Sequence, residues 1–232
     1  MSVTMKTKKP RPLVVELVGA WGAGKSSLVK SLAIRDGSVR AAPPVWALPK
    51  RLLAIGGLQV LGTVMSLLRR RPRVPWKETR QLMRLRALYH HLEILRRDDC
   101  RVVVVEDGPA LILSWLREAA HGSSVTGDPP RWWTNVVKRW AEIVDIVVFL
   151  DAPQRVLTER VLARAQANPF KGRPESELSA ELERSREAYV HVISDLQAYD
   201  GPTMVSFRTD QRSIAEITDE LLVTFASERN GR

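Results

Sequence analysis

The stretch "GAWGAGKSS", residues 19–27, limits what this chain can fold into more than any other feature. It follows the apolar run "LVVELV" (13–18) and leads into "LVKSLAI" (28–34), so a glycine-rich turn sits between a strand-like and a helix-like segment. Glycines at such a turn let several backbone N–H groups aim at one oxyanion, and the helix that follows adds its positive N-terminal end. A turn alone accounts for the glycines but not for Lys25 and Ser26. The pattern Gly19-x4-Gly24-Lys25-Ser26 therefore reads as a phosphate cradle. Gly19, Ala20, Trp21, Gly22, Ala23, Gly24, Lys25, Ser26 and Ser27 are its candidate contacts. Lys25 is expected to reach the β- and γ-phosphates of ATP, and the Ser26 hydroxyl to hold Mg²⁺. Trp21 is bulky for such a loop and is expected to pack on neighbouring loops or to border an acceptor site.

Further apolar runs recur between helical stretches: "RVVVVE" (101–106), "IVDIVVFL" (143–150), "TMVSF" (203–207) and a weaker "SVRAA" (38–42). Near-continuous Val, Ile and Leu suits strands buried on both faces of a parallel sheet. Alternation with helices predicts an α/β fold with three layers, α/β/α. The expected helices carry apolar stripes: Leu28, Val29 and Leu32; Leu82, Leu85, Tyr89, Leu92 and Ile94 within 76–97; Trp133, Val137 and Trp140; and Leu178, Leu182, Tyr189, Val192 and Leu196 within 175–199. Tryptophans at such positions read as core.

The chain has 232 residues, enough for one domain, expected over 12–228 behind a loose basic tail at 1–11. The net charge of +10 favours phosphate-rich ligands, nucleic acid or an anionic membrane surface. No basic-aromatic motif accompanies it, so nucleic acid is not expected. Cys100 is the single cysteine, which cannot make an internal disulfide and fits a reducing cytoplasm. The run at 13–18 carries Glu16, so no signal peptide is expected there.

With these features in place, the chain resembles the thymidylate kinase branch of the P-loop nucleotide and nucleoside kinases. The loop carries the resemblance first. "VVVVEDGP" (102–109) occupies the place of the family's D-R motif at the end of the third strand. "DIVVFLDAPQRVLTERVLARA" (145–165) is similar to its strand, Asp-x-Pro turn and Arg-bearing lid helix, and "ELERSREAYVHVI" (181–193) to the helix after the lid. The resemblance implies a P-loop NTPase fold with a five-stranded parallel sheet in the order 2-3-1-4-5, a helical lid over about 160–177, and an acceptor-side helical region over 45–100. It implies an ATP-dependent phosphotransferase, with ATP and Mg²⁺ as cofactors and a small acceptor: a nucleotide, nucleoside or related metabolite.

The residues of these motifs have their own physics. Asp151 before Ala152-Pro153 has the chemistry of a helix N-cap. Arg160 and Arg164 are four apart, share a helical face, and could clamp a transferring phosphoryl group, or could be a solvated basic face paired with Glu159. Arg164 is also a candidate ATP contact, and Lys171 and Arg173 could assist. Glu106 and Asp107 stand where α/β sheets bind ligands. Either could hold Mg²⁺ or accept a proton from an acceptor hydroxyl, and Glu106 is the candidate metal residue beside Ser26.

The chain departs from the family at the acceptor side. The arginine of the D-R motif is replaced by Asp107 or Gly108, depending on register. The family's nucleotide-binding arginine on the acceptor helix would fall near Leu88, with Arg84 and Arg86 at other helical angles. Residues 37–50 contain no glutamate, unlike deoxynucleoside kinases. His90 and His91 read as surface or packing residues. The other departure is the segment 45–73, whose residues 52–68 are uncharged and apolar-rich between basic flanks, short for a membrane span. The segment 45–73 predicts either a helix pair buried against the core or a dimer partner, or an interfacial segment on anionic lipid. Two readings from other functional classes stay open: a regulatory P-loop NTPase, and a membrane-peripheral nucleotide-binding protein.

Overall fold

Each parallel strand of this chain needs both faces covered, and the helices divide accordingly. The computed structural model describes residues 11–70, 76–95, 100–121, 131–164, 170 and 172–230. The strands are β1 (Leu13–Val18), β2 (Val39–Ala42), β3 (Val102–Glu106), β4 (Ile146–Asp151) and β5 (Thr203–Arg208). All pairings are parallel, in the order β2-β3-β1-β4-β5. The expected fold class and strand order are those observed.

Among the described residues eight helices flank or follow the strands: α1 (Lys25–Arg35), α2 (Lys50–Arg70), α3 (Trp76–Leu95), α4 (Pro109–His121), α5 (Arg131–Ile143), α6 (Gln154–Leu162), α7 (Glu175–Gln197) and α8 (Ile214–Asn230). All six residues of β1 are buried. Leu13, Val15 and Leu17 join one core, with Leu28, Leu32, Leu157, Leu221 and Phe225 from α1, α6 and α8. Val14 and Val18 join the other, with residues of α2, α3, α4, α5 and the C-terminal half of α7. This is the period-2 alternation of a strand covered on both sides.

The predicted helical stripes are largely the buried ones, Trp133, Val137 and Trp140 of α5 among them. Ile94 differs: it is exposed, whereas Leu92 is buried, because two residues turn a helix by about 200° and carry Ile94 off the Leu85–Leu92 face.

The apolar segment 52–68 lies within α2, which packs on α3. A Cβ on Gly56 would meet the Met83 carbonyl oxygen at 2.6 Å and the Ala87 nitrogen at 3.1 Å, so glycine is what lets the two backbones approach. Leu52 and Val60 are buried in this seam, while Ile55, Leu58 and Met65 face out. Among the described residues no helix is long and apolar enough to cross a membrane.

Candidate active site

The loop 19–24 leaves the C-terminal end of β1, and its glycines are there because nothing larger fits. A Cβ on Gly19 would lie 2.3 Å from the Leu150 carbonyl oxygen. Gly22 and Gly24 hold φ of +84° and +96°, a region that side chains disfavour, and a Cβ on Gly22 would reach 2.8 Å from the Leu157 carbonyl. Gly24 caps α1 without a side-chain hydrogen bond, which leaves the helix's first N–H groups to the loop cavity. Trp21 packs edge-on against Phe170, ring centroids 5.8 Å apart, and so joins the loop to the segment after α6 rather than to the acceptor side.

Lys25 folds back over this loop. Its Nζ donates to the Gly19 carbonyl at 2.7 Å and lies 3.7 Å from Asp107 Oδ1. Burial pushes its pKa down, with Asp107 and Glu106 opposing that shift. A desolvated cation at the uncapped N-terminus of a helix is an arrangement that a polyphosphate stabilises. Next to it, Ser26 donates its hydroxyl to Glu106 Oε1 at 2.5 Å. The strand register makes this meeting: Leu17 of β1 is paired with Glu106 of β3, so the loop after β1 begins beside the end of β3. A hydroxyl and a carboxylate oxygen so placed are hard-cation ligands of the kind Mg²⁺ takes together with phosphates and waters. Among the described residues no group of three or more His, Cys, Asp or Glu could hold a metal as a protein cage.

The acidic turn after β3 constrains Asp107 and Gly108 in different ways. Asp107 sits at φ +52°, a left-handed conformation that costs a non-glycine residue about 1 kcal/mol. Gly108 follows in a packed spot: a Cβ there would meet Val105 Cγ1 at 2.5 Å and Glu16 Oε1 at 3.1 Å. No arginine fits at 108, and at 107 the side chain points to Lys25.

The lid region departs from the expected local geometry. Helix α6 ends at Leu162, with Ala163 as its C-cap, so Arg160 and Arg164 do not share a helical face. They still line one cavity of about 390 Å³ with Gly22, Gly24, Ser27 and Thr209. Arg160 donates to Thr209 Oγ1 and to the Thr209 carbonyl, both at 2.8 Å, and to the Gly22 carbonyl at 3.4 Å. It thus braces the phosphate loop against the β5–α8 turn. Asp151 is not the N-cap of α6; Pro153 is, without a side-chain bond. Asp151 closes β4 and its carboxylate accepts two bonds from Arg186 of α7, a bidentate pair that outcompetes capping. Arg173, within the span expected for the lid, is exposed, and Lys171 lies outside the described residues.

Sequence reasoning did not assign Thr209, Arg212 and Ile214, which line the same cavity from the β5–α8 turn. Nothing in their types marks them; the order of the sheet brings them in, because β5 lies beside β4. It also passed over Glu16 as a site residue. That carboxyl is buried inside β1, its Oε1 accepts the Ala110 N–H at 2.7 Å, and burial raises its pKa to about 8. A lone acid in "LVVELV" was the available signal.

Solved structures share this fold. A thymidylate kinase from Candida albicans matches with a TM-score of 0.57 at 10% identity, over 96% of this chain and 94% of that one. The chain has the fold of the P-loop kinases. A deoxyadenosine kinase from M. mycoides matches in two complexes. With bound dCTP the TM-score is 0.50 at 15% identity, over 91% of this chain and 100% of that one. With dCMP and a flexible dCDP it is 0.51 at 16%, over 93% and 100%. No family model and no curated protein matches the sequence. Likeness at these identities is one of fold.

Proposed function

We propose that this protein is an ATP-dependent kinase that phosphorylates a small acceptor of the nucleotide or nucleoside class. The observation that carries the reading is the meeting of Lys25 and Ser26 with Asp107 and Glu106 at one end of the sheet. A mere phosphate-binding turn has no use for two acids facing its lysine and serine. Phosphoryl transfer has: one to help hold Mg²⁺, the other to orient or deprotonate the acceptor.

In this reading the loop N–H groups and Lys25 bind the β- and γ-phosphates. Ser26 and Glu106 would hold Mg²⁺, which would supply positive charge beside the phosphates. Asp107, fixed by its strained turn, faces the acceptor side. Arg160 holds the loop in shape, and Arg164 reaches the cavity from the lid. Catalysis is positioning plus electrostatics, with little covalent work for the protein. A screen of nucleosides, nucleotides and sugars with ATP as donor tests the reading. A phosphorylated small product supports it, and ATP hydrolysis without one favours a regulatory NTPase instead. Within the same assay, Ser26→Ala is expected to raise the Mg²⁺ concentration for half-maximal rate by about tenfold, the effect of losing one good ligand. An unchanged Mg²⁺ dependence would remove Ser26 from the metal site.

A second property is favoured by the outward stripe of Ile55, Leu58 and Met65 on α2, with exposed Trp46 and Trp76 near the two ends of the α2–α3 hairpin. Aromatic residues at both ends of an apolar face, in a chain of net charge +10, suit peripheral contact with anionic lipid. The protein is expected to pellet with phosphatidylserine vesicles and to be released by high salt. Equal recovery in the supernatant with and without vesicles excludes the contact, and a mass that rises with protein concentration assigns the stripe to a dimer.

A further inference from the structure

One cavity of the described residues lies away from the phosphate loop. It has a volume of about 770 Å³ and lies between α3 and α5, with Val60 of α2 also lining it. Arg11, just before β1, and Glu142 and Ile143, just before β4, form one part of its wall. All five strands are parallel, so this wall is at the N-terminal edge of the sheet. The phosphate loop leaves the opposite edge, about 20 Å away along the six residues of β1.

The cavity wall is unusual in charge. Arg11, Arg86, Arg131, Lys138 and Arg139 line it against a single acid, Glu142. Arg11 is paired with Asp145 at 2.8 Å. Arg86 and Arg139 are half-buried, and among the described residues neither has a carboxylate partner. They come from different helices and are near enough that Arg139, after burial itself, lowers the pKa of Arg86. Two converging, partly desolvated guanidinium groups repel one another, and folding gains nothing from that placement. Arg139 is held there by its stack on Tyr89, with its guanidinium carbon 4.3 Å from the ring centroid. Trp132 and Trp140, both buried, supply flat apolar wall beside the charges, as do Leu82 and Leu85.

We propose that this cavity is a second binding site, separate from the phosphate loop, for a small organic phosphate ester with an aromatic body. The guanidinium pair supplies planar donor forks for the phosphate, and the tryptophan and leucine wall takes the ring. The volume is in the range of small-molecule sites. The site stands on its own geometry and does not depend on which acceptor, if any, is phosphorylated at the other edge.

The test is equilibrium dialysis of the full chain against 1-naphthyl phosphate at 0.15 M salt, where non-specific attraction to a cationic protein is screened. Binding is expected, with 1-naphthol and inorganic phosphate each at least tenfold weaker. Arg86→Gln and Arg139→Gln are each expected to weaken naphthyl phosphate about tenfold, the effect of one charge-assisted bond. Lys30→Gln, a charge-matched change at an exposed position on α1, is expected to have no effect, and so is Lys25→Ala. Equal binding of 1-naphthol, loss of binding in Lys25→Ala, or no effect of the two arginine changes would each overturn the proposal. If the glutamine variants do not fold by circular dichroism, Glu142→Gln decides instead. Removing the one acid of the wall is expected to tighten binding severalfold, and unchanged or weaker binding overturns the proposal.

Discussion

Lys25→Ala is expected to abolish phosphoryl transfer, lowering the rate by on the order of 10³-fold or more, the scale of removing a charge that stabilises the transferring group. The protein is expected to stay folded. In the free protein, Lys25 is a desolvated ammonium held by the Gly19 carbonyl and facing Asp107 at 3.7 Å. Burial of that charge works against the folded state, and the two acids only partly offset it. Truncation removes the buried cation but leaves Asp107 and Glu106 without it, so the two consequences oppose each other. The thermal midpoint is expected to move by only a few degrees, the equivalent of roughly 1 kcal/mol in a chain of this size. The measurement is a coupled assay for nucleoside diphosphate formation, with circular dichroism on the same sample. Turnover retained within tenfold of the parent would take Lys25 out of the site, and the kinase reading with it.

The parts of this fold that were legible in the sequence are those set by local pattern. Continuous apolar runs gave β1, β3 and β4 to within a few residues because both faces of a central parallel strand are buried. The loop was legible because its glycines answer to backbone geometry alone. Asp151 shows where local pattern stops. As a dipeptide before Ala-Pro it has every attribute of a cap, yet Arg186, thirty-five residues on, takes its carboxylate. A guanidinium fork brought by α7 outweighs a single backbone N–H. Arg160 and Arg164 show the same limit in another form: i,i+4 spacing places two side chains together only while the helix lasts, and α6 stops at Leu162. Thr209 and Arg212 were invisible for a topological reason. Their turn meets the phosphate loop because β5 lies beside β4 and β4 beside β1, a relation between strands far apart in the chain.

Glu16 carries the other large expected effect, on stability. The carboxyl lies in the middle of β1, between Val105 of β3 and Val147 of β4. One oxygen takes the Ala110 N–H at the start of α4. Burial raises its pKa from 4.5 to about 8, Asp107 adds to the rise, and the backbone bond opposes it. Between those two values the folded protein keeps a proton on Glu16 that the unfolded chain has released. Stability then falls as pH rises, by up to about 1.4 kcal/mol per pH unit from this one group. Below about pH 4.5 both states hold the proton and the dependence vanishes. Glu16→Gln keeps an oxygen for Ala110 and cannot ionise. It is expected to be as stable as the parent near pH 5 and more stable at pH 8 by several kcal/mol, a large fraction of what holds a domain folded. Urea unfolding of both proteins at pH 5, 6, 7 and 8 reads the difference directly, since every other titrating group is common to the two. Parallel curves would mean that Glu16 is ionised in the folded protein, with a counter-charge at its second oxygen.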